Sequence, residues 1–228
     1  TMIVSVHQPQ YLPWLGYFDK IDRADAFVLL DTVQYKKNEW QNRNRIKTAQ
    51  GPQWLTVPVT YHYPQLICEV GVNNRERWQH RQQQALATNY RRASHWGCLE
   101  GFFEEIFSRS WTTVAELNIR VVKGLAAMLG IATPIHVASE LGSFPEDPDE
   151  RLIALTKRLG ATTYLAGNGG RDYMDLAKYE RAGVEVLFQE YRHPRYGQLF
   201  GEFEPNMSII DLIYNHGEAS LPILRGAA

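Results

Sequence analysis

The chain has 228 residues, 44% hydrophobic and 21% charged, with a formal net charge of −1. That length can bury a full core without disulfides or a metal, and the near-neutral charge excludes a general attraction to nucleic acid or an anionic membrane. Cys68 and Cys98 lack CxxC spacing and are too few for a disulfide framework, so a reduced, cytoplasmic setting is expected.

The first predicted element is a strand over "MIVSV", residues 2–6, a continuous β-branched apolar run. It is far shorter than a signal-peptide core, and no apolar run approaches the ~20 residues of a membrane span. A polar, aromatic segment follows, from His7 and Gln8 to Gly16. Pro9 and Pro13 fix φ and make a rigid turn that presents Gln10 and Tyr11, while Gly16 permits close backbone approach where a helix begins. "LGYFDKIDRAD" carries Leu15, Phe18 and Ile21 at helical spacing, and "AFVLLD" reads as a second strand ending at Asp31. Strand, helix and strand within about 30 residues make a βαβ unit with a right-handed crossover. Residues 32–52 read as a long polar loop, whose Trp, Tyr, Gln, Asn and Arg argue for function over disorder.

"QWLTVPV" and "QLICEVGV" look like a strand pair, and residues 75–129 read as helical, with Val114, Leu117, Val121, Leu125 and Met128 on one stripe. Strand signals return at "PIHVAS", "TTYLAG" and "VEVLFQ", separated by helices at "PDERLIALTKRLG" and "DYMDLAKYERAG". A last helix, "SIIDLIYNHG", has Ser208 as N-cap and Gly217 as stop. The alternation predicts a single α/β domain over residues 1–228, with a mainly parallel, Rossmann-like sheet, flanking helices and a helical insertion at about 75–130.

In such sheets ligands bind outside the carboxyl ends of the strands. Those ends carry His7, Gln8 and Gln10; Asp31, Gln34 and Tyr35; Asn168, Gly169 and Gly170; and Gln189, His193 and Tyr196. Asn42, Arg43 and Arg45 add amide and guanidinium groups in the polar segment, and arginines two apart on an extended chain share a face suited to phosphate or carboxylate. The glycine-rich "GNGGRDY" can hold an anion on backbone N–H groups, but it matches neither a Walker A loop nor a complete GxGxxG. Each residue also has a plainer reading: a core histidine, a solvated loop, a turn that needs glycine. No HxH or HxxxH pair supports a metal site from His7, His193 and Asp31, so no metal is expected. No GxSxG elbow occurs, and neither cysteine sits in a nucleophile's context. Single-stranded nucleic acid as a partner is disfavoured by the near-neutral charge.

The blocks "HQPQYLPWLGYFDK", "ADAFVLLDTVQY", "QNRNRIK", "QWLTVPV", "NGGRDY" and "HPRYGQLFGEFEPNMSIIDLIYNHG" resemble the WbqC-like protein family over nearly the whole chain. The resemblance implies bacterial surface-polysaccharide (O-antigen) biosynthesis and action on a nucleotide-linked sugar, with acyl or aminoacyl transfer to an amino sugar as the reaction and a nucleotide or acyl donor as co-reactant. A weaker likeness is to the HxGH nucleotidyl-transferase superfamily, with Gln10 where the second histidine would fall. On this reading His7 is a general base, its ordinary pKa near 6.5 suiting that task. Asp31 orients His7 or binds a sugar hydroxyl, Arg43, Arg45 and residues 167–170 hold phosphate, and Tyr11 and Trp14 offer stacking faces. The alternative is a non-catalytic protein that binds a nucleotide sugar in the same pocket.

Overall fold

The opening apolar run forms β1 (Ile3–His7), the middle strand of the sheet in the computed structural model, which describes residues 1–226. In chain order follow α1 (Leu15–Arg23), β2 (Ala26–Leu29), β3 (Arg43–Thr48), β4 (Gly51–Thr56), β5 (Val59–Thr60) and β6 (Gly71–Val72). Next come α2 (Trp78–Tyr90), α3 (Glu100–Phe107), α4 (Val114–Leu129), β7 (Ile135–Val137), α5 (Ala138–Leu141) and α6 (Pro148–Arg158). The chain ends with β8 (Thr163–Ala166), α7 (Leu176–Arg181), β9 (Glu185–Phe188), α8 (Ile209–His216) and α9 (Ser220–Leu224).

The central sheet has five parallel strands in the order β7-β2-β1-β8-β9. Strand alternation divides the core into two layers. Val4, Val6, Ala26 and Val28 turn to one face and pack with Ile153, Leu155 and Tyr179. Phe27 and Leu29 turn to the other, against Tyr17, Phe18 and Ile21 of α1. That second layer runs without interruption into α2, α3, α4 and α8, so the insertion shares its core with the sheet. The last two residues of the expected domain, 227–228, lie outside the described ones.

The structure departs from expectation in three places. The polar segment 32–52 is not all loop: Arg43–Thr48 is a strand paired antiparallel with β4. Its alternation is masked because one of its inward residues is Asn44, whose amide bonds the Leu12 carbonyl at 2.8 Å. "QWLTVPV" therefore pairs with β3, and only two-residue strands, β5 and β6, join it to the segment after it. Met128 is 44% exposed, because the buried stripe of α4 continues at Leu129, four residues past Leu125. At the other end of the chain the Ser208 hydroxyl accepts from the Ile210 N–H and Gly217 closes α8 with positive φ.

Candidate functional site

From β1 the chain crosses through α1 to β2 on one side, while β8 lies on the other. The strand order reverses there, and in open parallel sheets the region outside the carboxyl ends of two such neighbours is where ligands bind. Ser5 pairs with Leu165. Continuing that register sets His7 opposite Gly167, so the two segments singled out at the strand ends, His7–Gln10 and 167–170, face each other across the switch point.

His7 is half-buried, on the sheet face that α1 covers. The Tyr17 ring lies 4.7 Å from its ring, and the Tyr17 hydroxyl donates to the Gln8 carbonyl at 2.8 Å. Lys20, one turn further along α1 and 5% exposed, places Nζ 3.2 Å from His7 Nδ1 and 3.2 Å from the Val6 carbonyl. Among the described residues this ammonium has no carboxylate partner. Asp19 beside it is engaged by Arg23 at 2.9 Å and by Gln189 at 2.7 Å. Burial pushes the Lys20 pKa down to about 8. Burial, and then the Lys20 charge, hold His7 well below its ordinary value, so its ring is neutral at neutral pH.

These contacts choose the tautomer. An ammonium only donates, so Nδ1 of His7 accepts and its proton sits on Nε2. The Gln10 amide lies 3.2 Å from that Nε2, and the amide orientation that satisfies an N–H donor places Oε1 there. The outcome is a neutral imidazole with a buried cation on Nδ1 and the Gln10 amide on its Nε2–H.

The other strand-end residues have specific partners. Asp31 accepts from the Ser139 N–H at 3.0 Å and the Ser139 hydroxyl at 2.6 Å, so its carboxylate holds the first turn of α5 rather than the His7 ring. The Gln189 amide bonds the Gly16 carbonyl at 2.9 Å, tying β9 to α1. His193 has Nδ1 2.8 Å from the Pro194 carbonyl and Nε2 3.1 Å from the Asn206 N–H, which occupies both ring nitrogens. Tyr196 is buried and donates to Asp211 at 2.8 Å. Tyr11 is fully buried with its hydroxyl on Gln82, so its ring is core rather than a stacking face. Trp14 lies over Gly16, where a Cβ would collide with its ring, and edge-on to Tyr191 at 5.7 Å. The glycine is thus needed for the indole.

Gln8 is half-buried and accepts from the Gln41 amide at 2.9 Å. Gln34 bonds the Tyr35 carbonyl and the Tyr61 hydroxyl, both at 3.1 Å, and burial pushes the Tyr35 pKa up to about 12. Asn42 bonds the Val57 carbonyl at 2.9 Å. Arg43 and Arg45 lie on the outer face of the β3–β4 hairpin. Asn168, Gly169 and Gly170 form one turn of tight helix, closed by the Gly170 N–H on the Gly167 carbonyl at 3.0 Å. Gly167 and Gly169 have open space where a Cβ would stand. Among the described residues no group of three or more His, Cys, Asp or Glu could hold a metal ion, and no helix is long and apolar enough to cross a membrane.

The model of a family described as the WbqC-like protein family matches residues 8–223. The chain belongs to that family. This WbqC-like chain is 35% identical, over 226 residues and 97% of each sequence, to the uncharacterized protein Rv1507c of Mycobacterium tuberculosis (strain ATCC 25618 / H37Rv). No solved structure matches it.

Lys20 is the group in this WbqC-like chain that reading along the sequence missed. A lysine in an amphipathic helix normally reads as solvent-facing. The available signal was its place in the helix: Lys20 follows Tyr17 by three positions, on the face that covers the end of β1.

Proposed function

We propose that this chain binds a nucleotide-linked sugar in the crevice between β1 and β8 and acts on it, with His7 next to the reacting atoms. The observation that carries the reading is the His7–Lys20 pair: a neutral imidazole and an uncompensated buried lysine at the switch point of a parallel sheet. A strongly shifted titratable pair in such a place is the electrostatic signature of a functional site. The sugar nucleotide, the surface-polysaccharide role and the transfer of an acyl or aminoacyl group rest on the family resemblance.

As a general base toward a sugar amine or hydroxyl, His7 needs a free Nε2. That state exists when Nδ1 carries the proton and shares it with an uncharged Lys20, and the substrate displaces the Gln10 amide from Nε2. The substrate proton then moves to Nε2 while the Nδ1 proton passes to Lys20, leaving a neutral imidazole and an ammonium. Base catalysis on this scheme rises as pH approaches the Lys20 pKa of about 8. The test is turnover of nucleotide-linked amino sugars with acyl donors, read by product mass. His7→Ala should lower it by about 100-fold or more while ligand binding persists. Undiminished turnover in that variant would sink the assignment.

The tautomer favours a second reading at neutral pH. With Lys20 charged, the His7 Nε2–H can pass from the Gln10 amide to a phosphate oxygen, as in a protein that binds a nucleotide sugar without altering it. Saturable binding with no product across the same donors would select it.

A further inference from the structure

The β3–β4 hairpin carries a second constellation, separate from the His7 crevice. Antiparallel register sets Arg45 directly opposite Trp54 and Arg43 opposite Thr56, all turned outward, while Asn44 and Leu55 turn inward. Trp54 is 41% exposed and Trp40 36% exposed, with their rings 5.5 Å apart. The Arg43 guanidinium lies 4.1 Å over Trp54, and Arg45 lies 5.4 Å from Trp54 and 5.8 Å from Trp40.

Among the described residues neither arginine has a carboxylate partner; Arg43 donates through its guanidinium to the Asn38 carbonyl, whereas the Arg45 side chain makes no hydrogen bond. Segment 36–56 holds Lys36, Lys37, Arg43, Arg45 and Lys47 against the single acid Glu39. On the hairpin's flank toward α2, Trp54 also walls a cleft of about 320 Å³, rimmed by Gln53, Thr56, Gln82 and the Arg81–Glu76 ion pair. Trp78, 1% exposed, lines the same cleft, and its indole N–H has no acceptor. This N–H and the Nε of both arginines are sealed from solvent, so what the surface offers a ligand is the exposed indoles and the half-buried Arg45 guanidinium.

We infer that this cleft and the two arginines beside it bind a sugar bearing a phosphate or carboxylate. A pyranose has an apolar C–H face, which an exposed indole covers, and a rim of hydroxyls, which the Gln53 and Thr56 side chains can satisfy. Its anionic substituent takes the unpaired Arg45 guanidinium, with the Arg43 charge beside it. The two indoles are tilted by 39°, so they do not form the parallel slot that would clamp a flat base.

The test uses α-glucosyl phosphate on the full chain, read by isothermal titration calorimetry. Saturable binding is expected, with methyl glucoside and inorganic phosphate each at least tenfold weaker. Trp54→Ala and Arg45→Met should each raise Kd at least tenfold at unchanged far-ultraviolet circular dichroism, and Trp54→Phe should restore most of the affinity. Met128→Ala, on the exposed side of α4, should bind as wild type. Inorganic phosphate as tight as the sugar phosphate, tighter binding of oligothymidylate, or loss in His7→Ala with retention in Trp54→Ala would each overturn the inference.

Discussion

Lys20 Nζ stands 3.2 Å from His7 Nδ1, so a buried cation on α1 sets which nitrogen of a strand-end histidine carries the proton. Replacing Lys20 by Met removes both the charge and the donor. The His7 pKa should then rise, because one of its two depressing causes is gone, while burial keeps it below 6.5. The alkaline rise of turnover near pH 8 should vanish and leave a profile governed by His7 alone. A histidine proton titration followed by nuclear magnetic resonance, together with the pH–rate profile, checks both.

The same lysine makes stability depend on pH. Its pKa falls from 10.5 unfolded to about 8 folded, so between those values the unfolded chain binds more protons and stability rises with pH. A shift of this size corresponds to about 3 kcal/mol for a fully buried group. Above pH 10 the buried Tyr11 and Tyr17, whose pKa values burial raises, act in the opposite sense and stability falls. Urea denaturation should therefore show stability climbing from pH 8 toward pH 10. Lys20→Met should be flatter over that range and more stable than wild type below pH 8.

On the acid side, the lowered pKa of His7 means that its unfolded form binds the extra proton first. Stability should decline as pH drops below 6.5, and His7→Asn should weaken that decline. Melting temperatures across pH 5 to 7 measure it.

Gly16→Ala should be destabilised by roughly 1–3 kcal/mol, because the new methyl overlaps the Trp14 ring, which must move from its place beside Tyr191. Loss of near-ultraviolet circular dichroism, alongside a lower melting temperature, is the expected signature.

Ser139→Ala removes one of the two Asp31 hydrogen bonds and should cost about 1 kcal/mol. It should leave the His7 titration where it was, since Asp31 holds α5 and Lys20 holds His7. A His7 pKa that moved with Ser139→Ala would tie Asp31 to the imidazole after all.

The sheet was legible because its signals are local. Val4, Val6, Phe27 and Val28 form short β-branched or aromatic runs, and Leu15, Phe18 and Ile21 repeat at helical spacing. Strand β3 was hidden because inward Asn44 is polar, its burial compensated by a carbonyl far away in sequence. The richness of the strand ends was visible, but which polar groups remain free was not. Asp31, Gln189 and His193 are satisfied by Ser139, Gly16 and Asn206, partners up to 173 residues distant. Lys20 escaped notice for the converse reason, since only the packing of α1 on β1 turns an ordinary helical lysine into a buried one.

The most direct measurement is a long-range proton–nitrogen correlation spectrum of the His7 imidazole at pH 7, recorded free and during titration with UDP-N-acetylglucosamine. The predicted result is a neutral ring protonated at Nε2 whose signals shift saturably as the ligand fills the crevice. A charged ring, a proton on Nδ1, or His7 signals unmoved while the nucleotide sugar binds elsewhere would contradict the assignment of this pair as the functional centre.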